Sequence, residues 1–377
     1  MSVATGADFL IIGAGMAGAS AAYELADKGR VIVLERESQP GYHTTGRSAA
    51  LYAETYGNQV IRAITTASRP MYMQPPPGFT EHRLLSPRGS VIIGRADQQA
   101  ALDRAYEEGR QLVSSIRRLS GDEVRRMVPI LKPEHAVAAV MVPDDMDIDV
   151  HALHQGYLKG LRARGGSVVT DAELRGLKRV NGEWQLEIAA GTFAAPVVVN
   201  AAGAWADVVG GMAGAAPIGL VPKRRTAITF DPPAGADIAR WPAVIDADEQ
   251  WYIKPEAGRI LASPADETPS PPCDAQPDEM DIAICIDRVM TATTLDIRRI
   301  THRWAGLRSF VKDKTPVVGF DDKVEGFFWL AGQGGYGIQT APAMGRIAAA
   351  LARGKPMPAD VAALGVSAAD LAPERLR

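Results

Sequence analysis

Cysteine is almost missing: the 377 residues hold two, Cys273 and Cys285, with no histidine at ligand spacing beside them. That excludes a disulfide framework and a structural zinc site, and it fits a reducing compartment. Neither sign of charge dominates, since 41 Lys and Arg stand against 44 Asp and Glu, and the balance of −3 supplies no basic field for nucleic acid. No apolar run nears the roughly 18 to 20 residues that cross a bilayer, and the stretch Phe9 to Ile12 has no basic leader before it. The chain is therefore expected in the cytoplasm, without a transmembrane segment. Its 37 Gly and 26 Pro show no tandem period, which excludes a repeat array. No HExxH, paired-acid or Ser–His–Asp pattern stands out among the six histidines. What remains, with 46% hydrophobic residues, is a globular chain able to bury a large core.

The N-terminus carries one complete βαβ unit. Phe9 to Ile12 reads as a buried strand, Gly13-Ala14-Gly15-Met16-Ala17-Gly18 as a turn, Ala19 to Lys28 as a helix, and Val31 to Leu34 as a second, parallel strand ending at Glu35-Arg36. Gly13 permits the tight turn, Gly15 lets the backbone approach a pyrophosphate, and Gly18 allows close helix–strand packing. The helix N-terminus favours an anion. Glu35 stands where a carboxylate accepts hydrogen bonds from ribose hydroxyls and repels a 2′-phosphate, which disfavours NADP. Downstream the spacing predicts a strand at Ser90 to Gly94, a helix over 98–118, a capping box at Ser120 and Glu123, and a helix from Ala152 to Arg164 capped by Asp149. Strands follow at 167–170, 184–188 and 195–200. Mixed sheet with one helix near 280–294 fills 220–310, and then come a strand at 327–330, a glycine-rich turn at 332–337 and a helix at 341–352. The class is α/β, with two interleaved domains. His151 and His154, at i and i+3, read as a polar helix face rather than a metal site.

Further motifs follow in order: Thr44-Thr45-Gly46-Arg47-Ser48-Ala49-Ala50, Asn200-Ala201-Ala202-Gly203-Ala204-Trp205, and Gly334-Gly335-Tyr336-Gly337-Ile338-Gln339. With the glycine turn and Glu35-Arg36, this set resembles the D-amino-acid oxidase superfamily of flavoenzymes, and within it bacterial D-arginine dehydrogenase and its relatives, over nearly the whole length. The resemblance implies non-covalent FAD, with Ala17, Glu35 and Arg36 near its ADP half and Thr44 to Leu51 along the pyrophosphate and flavin. It places Leu174 near adenine and Gly334 to Gln339 at the isoalloxazine. A covalent link through His43 is the alternative. The expected organisation is a Rossmann-type FAD-binding domain of 1–82, 150–210 and 311–377, with an interleaved antiparallel-sheet substrate domain of 83–149 and 211–310.

A substrate carboxylate needs a fixed guanidinium. Arg308 lies in an apolar segment where a charge is costly unless paired, and Arg225 starts a strand. The resemblance joins both with Tyr252 and Tyr56 in a carboxylate clamp, and gives the Gly335 carbonyl to the amino group. It implies oxidative deamination of a D-amino acid, by hydride transfer from Cα to flavin N5, to an imino acid that hydrolyses to a 2-oxo acid and ammonia. Where arginine-oxidising relatives carry a glutamate and a histidine, this chain has Ser90 and Leu51. Arginine and lysine are accordingly expected to be poor substrates, with Glu54 as a candidate replacement acid. Related glycine, sarcosine, imino-acid or 2-hydroxy-acid enzymes, and a non-catalytic flavin-binding subunit, remain as alternatives. The electron acceptor, oxygen or a quinone at the inner-membrane surface, is open.

Overall fold

The structure is a computed structural model that describes residues 4–377, so the first three residues of the expected 1–82 segment lie outside it. Its mixed α/β class is the expected one. In Phe9–Ile12, Phe9 and Ile11 face one way and Leu10 and Ile12 the other, and both faces are buried, which is why the run is apolar throughout. It pairs in parallel with Val31–Leu34 and Val197–Asn200, Leu10 lying between Ile32 and Val198. Ser167–Val169 and Phe327–Ala331 extend this parallel sheet, and Val317–Phe320 closes it with an antiparallel edge. Helices Met16–Leu25 and Ala341–Ala352 cover the Phe9 and Ile11 face, so close that a Cβ on Gly345 would lie 2.9 Å from the Ser20 backbone. The other face packs on Trp184, Leu186 and Ile188 of a small sheet built from 176–195 and Thr5–Gly6.

A second, larger sheet runs in the order Thr268–Pro269, Val221–Phe230, Arg259–Ser263, Tyr252–Glu256, Ala243–Asp246, Ser90–Gly94, Ala138–Val142, Arg117–Ser120, with His302–Phe310 also paired to Val221–Phe230. It is antiparallel except between Ala243–Asp246 and Ser90–Gly94. Strand alternation gives it two unlike faces. Val91, Ile93, Val244 and Ile253 pack on helix Glu279–Ala292 through Ile282, Cys285 and Val289. The intervening Ser90, Ile92, Ala243, Ile245, Tyr252 and Lys254 point the other way and line a cavity. Leu51–Tyr52, Met146–Ile148 and Leu85–Pro87 form a small antiparallel sheet at its side.

Both predicted caps are present: Ser120 Oγ and Glu123 exchange hydrogen bonds with each other's backbone N–H, and Asp149 accepts from Ala152 N–H at 2.8 Å. The helix expected over 98–118 is shorter. Gln99–Gly109 is helical and Arg117–Ser120 is a strand, because the chain turns back after Gly109, where a Cβ would lie 2.4 Å from Ile116. Val113 and Ile116 then bury against Leu102, and their helical spacing from it is what mimics one long helix. The first helix starts at Met16, at the glycine motif itself, rather than at Ala19. Helix Gln59–Met73, capped by Asn58 and carrying Pro70 inside, has no counterpart in the sequence reading. No helix among the described residues is long and apolar enough to cross a membrane.

Trp329 is fully buried, donates its indole N–H to Asp321 at 3.0 Å, and packs so tightly on Gly210 that a Cβ there would lie 2.2 Å from the ring. Trp329→Ala should destabilise the fold by about 3 to 5 kcal/mol, read as a lower midpoint in thermal or denaturant unfolding.

Candidate functional site

The glycine turn is held from every side. Gly13, at φ +100°, donates its N–H to Leu34 O at 2.8 Å, in a backbone region that favours glycine. Ala14 N–H donates to Glu35 Oε2 at 2.8 Å, while His154 Nε2–H donates to Ala14 O at 2.8 Å. Burial holds the His154 pKa down, which keeps the imidazole neutral for this single bond. His154 is thus a brace, and no group of His, Cys, Asp or Glu suited to a metal exists among the described residues. Met16 N–H donates to Thr45 Oγ1 at 2.9 Å, and a Cβ on Gly18 would lie 1.9 Å from Gly13 O.

Three cavities run end to end from this turn. The first, about 970 Å³, is lined by Gly13, Gly15, Glu35, Arg36, Leu174, Ala202, Gly203 and Trp205, with Arg36 stacked 4.9 Å from the Trp205 ring. Gly15, Thr44, Thr45 and Ala201 are shared with the second, about 940 Å³, which continues past Met16, Ala17, Arg47, Ser48 and Ala49 to Gln333, Gly334, Gly335, Gly337 and Ile338. The third, about 1600 Å³, joins it at Arg225, Tyr252, Arg308 and Gly335 and opens over the large sheet. Ala50 and Gln339, expected at the cofactor, lie on this third cavity, as does Leu51, expected on both the cofactor and the substrate side. Gln339 braces it, accepting from Ala53 N–H and donating to Thr65 Oγ1. Ala14, Gly18, Gly46 and Tyr336 line none of the three and support the walls: Gly46 N–H bonds Gly41 O, and Tyr336 stands edge-on to Tyr56, 4.9 Å between centroids. His43 lines the first cavity beside Trp205 and is hydrogen-bonded to Glu37 at 2.9 Å, whereas Gly334, Gly335 and Gly337 line the second.

A dinucleotide with a planar ring fits this channel. Gln333 Nε2, on the second cavity, is buried with no partner among the described residues, as an amide awaiting an acceptor on a bound group would be. Gly334, at φ +54°, could carry no side chain, since its Cβ would lie 2.2 Å from Phe310. A Cβ on Gly335 would meet Arg308 Nη1 at 3.0 Å and Tyr56 OH at 3.4 Å, so this glycine lets the guanidinium and the phenol close on the turn.

At the junction of the second and third cavities two like charges converge. Burial and then the charge of Arg308 lower the Arg225 pKa. Arg225 is anchored by Nε–H to Asp266 O at 2.8 Å and by Glu267. Burial also opposes the charge on Arg308, but Tyr56 and Tyr252 outweigh it and raise its pKa. No salt bridge reaches Arg308 among the described residues, so an anion is the partner this site lacks.

The far end of the third cavity corrects one expectation. Ser90 does not leave the pocket without an acid: its Oγ–H donates to Asp145 Oδ2 at 2.5 Å, and Asp145 lines the cavity. Glu54, the suggested replacement, is turned to the Tyr52 hydroxyl and Arg69 and lines none of the cavities. Asp145 and Gln333 escaped the sequence reading, and His154, read there as part of a polar helix face, is buried against Ala14, because each acts across the fold, on a partner far away in the chain or on none.

Residues 8–351 match the family model described as DAO, FAD dependent oxidoreductase. The chain is 27% identical to an uncharacterized oxidoreductase, YurR, of Bacillus subtilis, covering 92% of this chain and 95% of that one. It is 24% identical to glycine oxidase of Geobacillus kaustophilus over 94% of this chain and 95% of the relative, and that enzyme's crystal structure superposes with TM-score 0.82 over 93% and 95% of the two chains. The FAD-bound L-alpha-glycerophosphate oxidase of Mycoplasma pneumoniae gives TM-score 0.83 at 18% identity, over 92% and 95%. Gly18→Ala should therefore yield folded protein with little bound FAD, because the new methyl displaces the turn; the flavin-to-protein absorbance ratio of the purified variant checks it.

Proposed function

Because the chain belongs to the DAO family of FAD-dependent oxidoreductases, we propose that it oxidises an α-amino acid, held by its carboxylate between Arg225 and Arg308 at the Gly335 end of the cofactor channel. The observation that carries this is the pair of buried guanidiniums with one member lacking any acidic partner. Two such charges are tolerable only when an anion completes them, and a carboxylate meets a guanidinium with two parallel hydrogen bonds.

When bound along the first two cavities, FAD supplies the two-electron acceptor for the Cα–H bond. The chain's residues do the positioning. Glu35, Arg36, Leu174 and Trp205 would hold the adenosine end, Gly15 and the Thr44 to Ser48 segment the pyrophosphate, and Gln333 to Gly337 the ring. Arg308 and Arg225 fix the carboxylate, the Tyr56 and Tyr252 hydroxyls donate to it, and the Gly335 carbonyl accepts from the amine. The division into a cofactor domain (1–82, 150–210, 311–377) and a substrate domain (83–149, 211–310) belongs to the same reading. In this reading FAD would be held without a covalent bond.

D-amino acids come first, on the ordered motifs from Gly13 to Gln339. Glycine or a secondary amine such as sarcosine is the second reading, favoured by the likeness to a glycine oxidase. Anaerobic mixing of the holoprotein with D- and L-amino acids, glycine, sarcosine and 2-hydroxyglutarate tests both, through bleaching of the flavin bands. Bleaching by D-amino acids is expected; bleaching by a hydroxy acid alone, or by nothing, overturns the proposal. Arg308→Met should lower kcat/KM for the best substrate at least about thirtyfold, the usual consequence of truncating one partner of a buried charge pair, with the flavin content retained.

A further inference from the structure

We infer that the far end of the third cavity reads a cationic substrate side chain, with Asp145 as the ion-pairing carboxylate and Ser90 as its support. This deepens the proposed function and rests on its carboxylate clamp. Asp145 sits on the turn between Ala138–Val142 and Met146–Ile148, is 4% exposed, and faces the cavity. Its carboxylate receives one hydrogen bond, from Ser90, and no salt bridge, among the described residues.

The other buried charges of that wall are already matched, and Glu249, the remaining acid on the cavity without an ion pair among the described residues, is exposed. Asp147 is held by Arg88 Nε at 2.6 Å and Lys254 Nζ at 2.8 Å, and Lys254 also binds Glu256 at 2.8 Å. Asp246 is tied to Gln98 and to the N–H groups of Asp248 and Gln250. Asp145 is the buried carboxylate left over, and a carboxylate is retained in such a place only with a counter-charge or a proton. Between it and the clamp, Ile92, Val142, Ile245 and Trp251 give an apolar lane for a methylene stem. The cavity thus has cationic groups at one end and an anionic group at the other, the charge pattern of an amino acid with a basic side chain.

Burial pushes the Asp145 carboxyl up to about 7, Asp144 and Glu54 add like charge, and the Ser90 hydroxyl pulls the other way. The Tyr52 phenol, near enough to feel the Asp145 charge, stays neutral. The free carboxyl is therefore mostly protonated below neutrality and charged above it, so affinity for a cation rises with pH through 7 while affinity for an uncharged side chain does not.

The test uses the holoprotein and two ligands with no α-amine, 6-aminohexanoate and hexanoate, titrated through the perturbation of the flavin spectrum. At pH 8 the amino ligand should bind about ten- to hundredfold more tightly, the range for one charge-assisted hydrogen bond. That preference should shrink about tenfold by pH 6 and vanish in Asp145→Asn. A ratio near one in the wild type, a ratio independent of pH, or an unchanged ratio in Asp145→Asn would each overturn the inference. If Asp145→Asn does not accumulate, Asp145→Ser and the wild-type pH series decide it. A preserved ratio in a protein whose flavin no amino acid reduces would sink the proposed reaction and leave this reader standing.

Discussion

The short segment Thr44–Arg47 is the seam on which the rest of the structure depends. Thr45 Oγ1 accepts from Met16 N–H and so holds the helix of the parallel sheet. Thr44 Oγ1 donates to Leu307 O at 2.8 Å, Arg47 donates to Ala305 O at 3.0 Å and Ala275 O at 2.9 Å, and Trp304 Nε1–H returns a bond to Arg47 O at 3.0 Å. Four consecutive residues thus join the nucleotide-type sheet to the strand that carries Arg308. These bonds are directional, and those at Leu307, Ala305 and Trp304 fall one, three and four residues from Arg308 on the same strand, so they help fix where its guanidinium stands against Gly335.

Around that seam, charge organises the pockets. Arg308 and Arg225 repel each other, and phenols, the Asp266 carbonyl and Glu267, 3.4 Å from Arg225, moderate them. The same large sheet carries Ser90 and Lys254 at its other end, beside Asp145 and Asp147. Strand alternation separates this charged face from the apolar face under helix Glu279–Ala292, so one sheet serves as both core and site wall.

Much of the framework was legible in the chain. Buried parallel strands announce themselves as short apolar runs, and glycines at turns announce close backbone approach, so Phe9–Ile12, Val31–Leu34, Val197–Asn200 and Phe327–Ala331 read correctly. Periodicity failed where a turn preserved it, at Gly109 between Leu102 and Ile116. The acid beside Ser90 was illegible because its strand neighbours give no sign of which side chain a turn 55 residues on will bring back.

The sequence by itself determined the α/β class and the cofactor turn with its acidic partner, because these rest on local rules of spacing and conformation, whereas the candidate clamp residues came from the resemblance to a known family. Only the tertiary structure decided which of those residues line a cavity, that His154 braces Ala14, that Gln333 is left unpartnered, and that Asp145 faces the substrate side. Those outcomes depend on burial and on contacts between distant segments, and a buried charge or an orphaned amide exists only once the fold has excluded water around it.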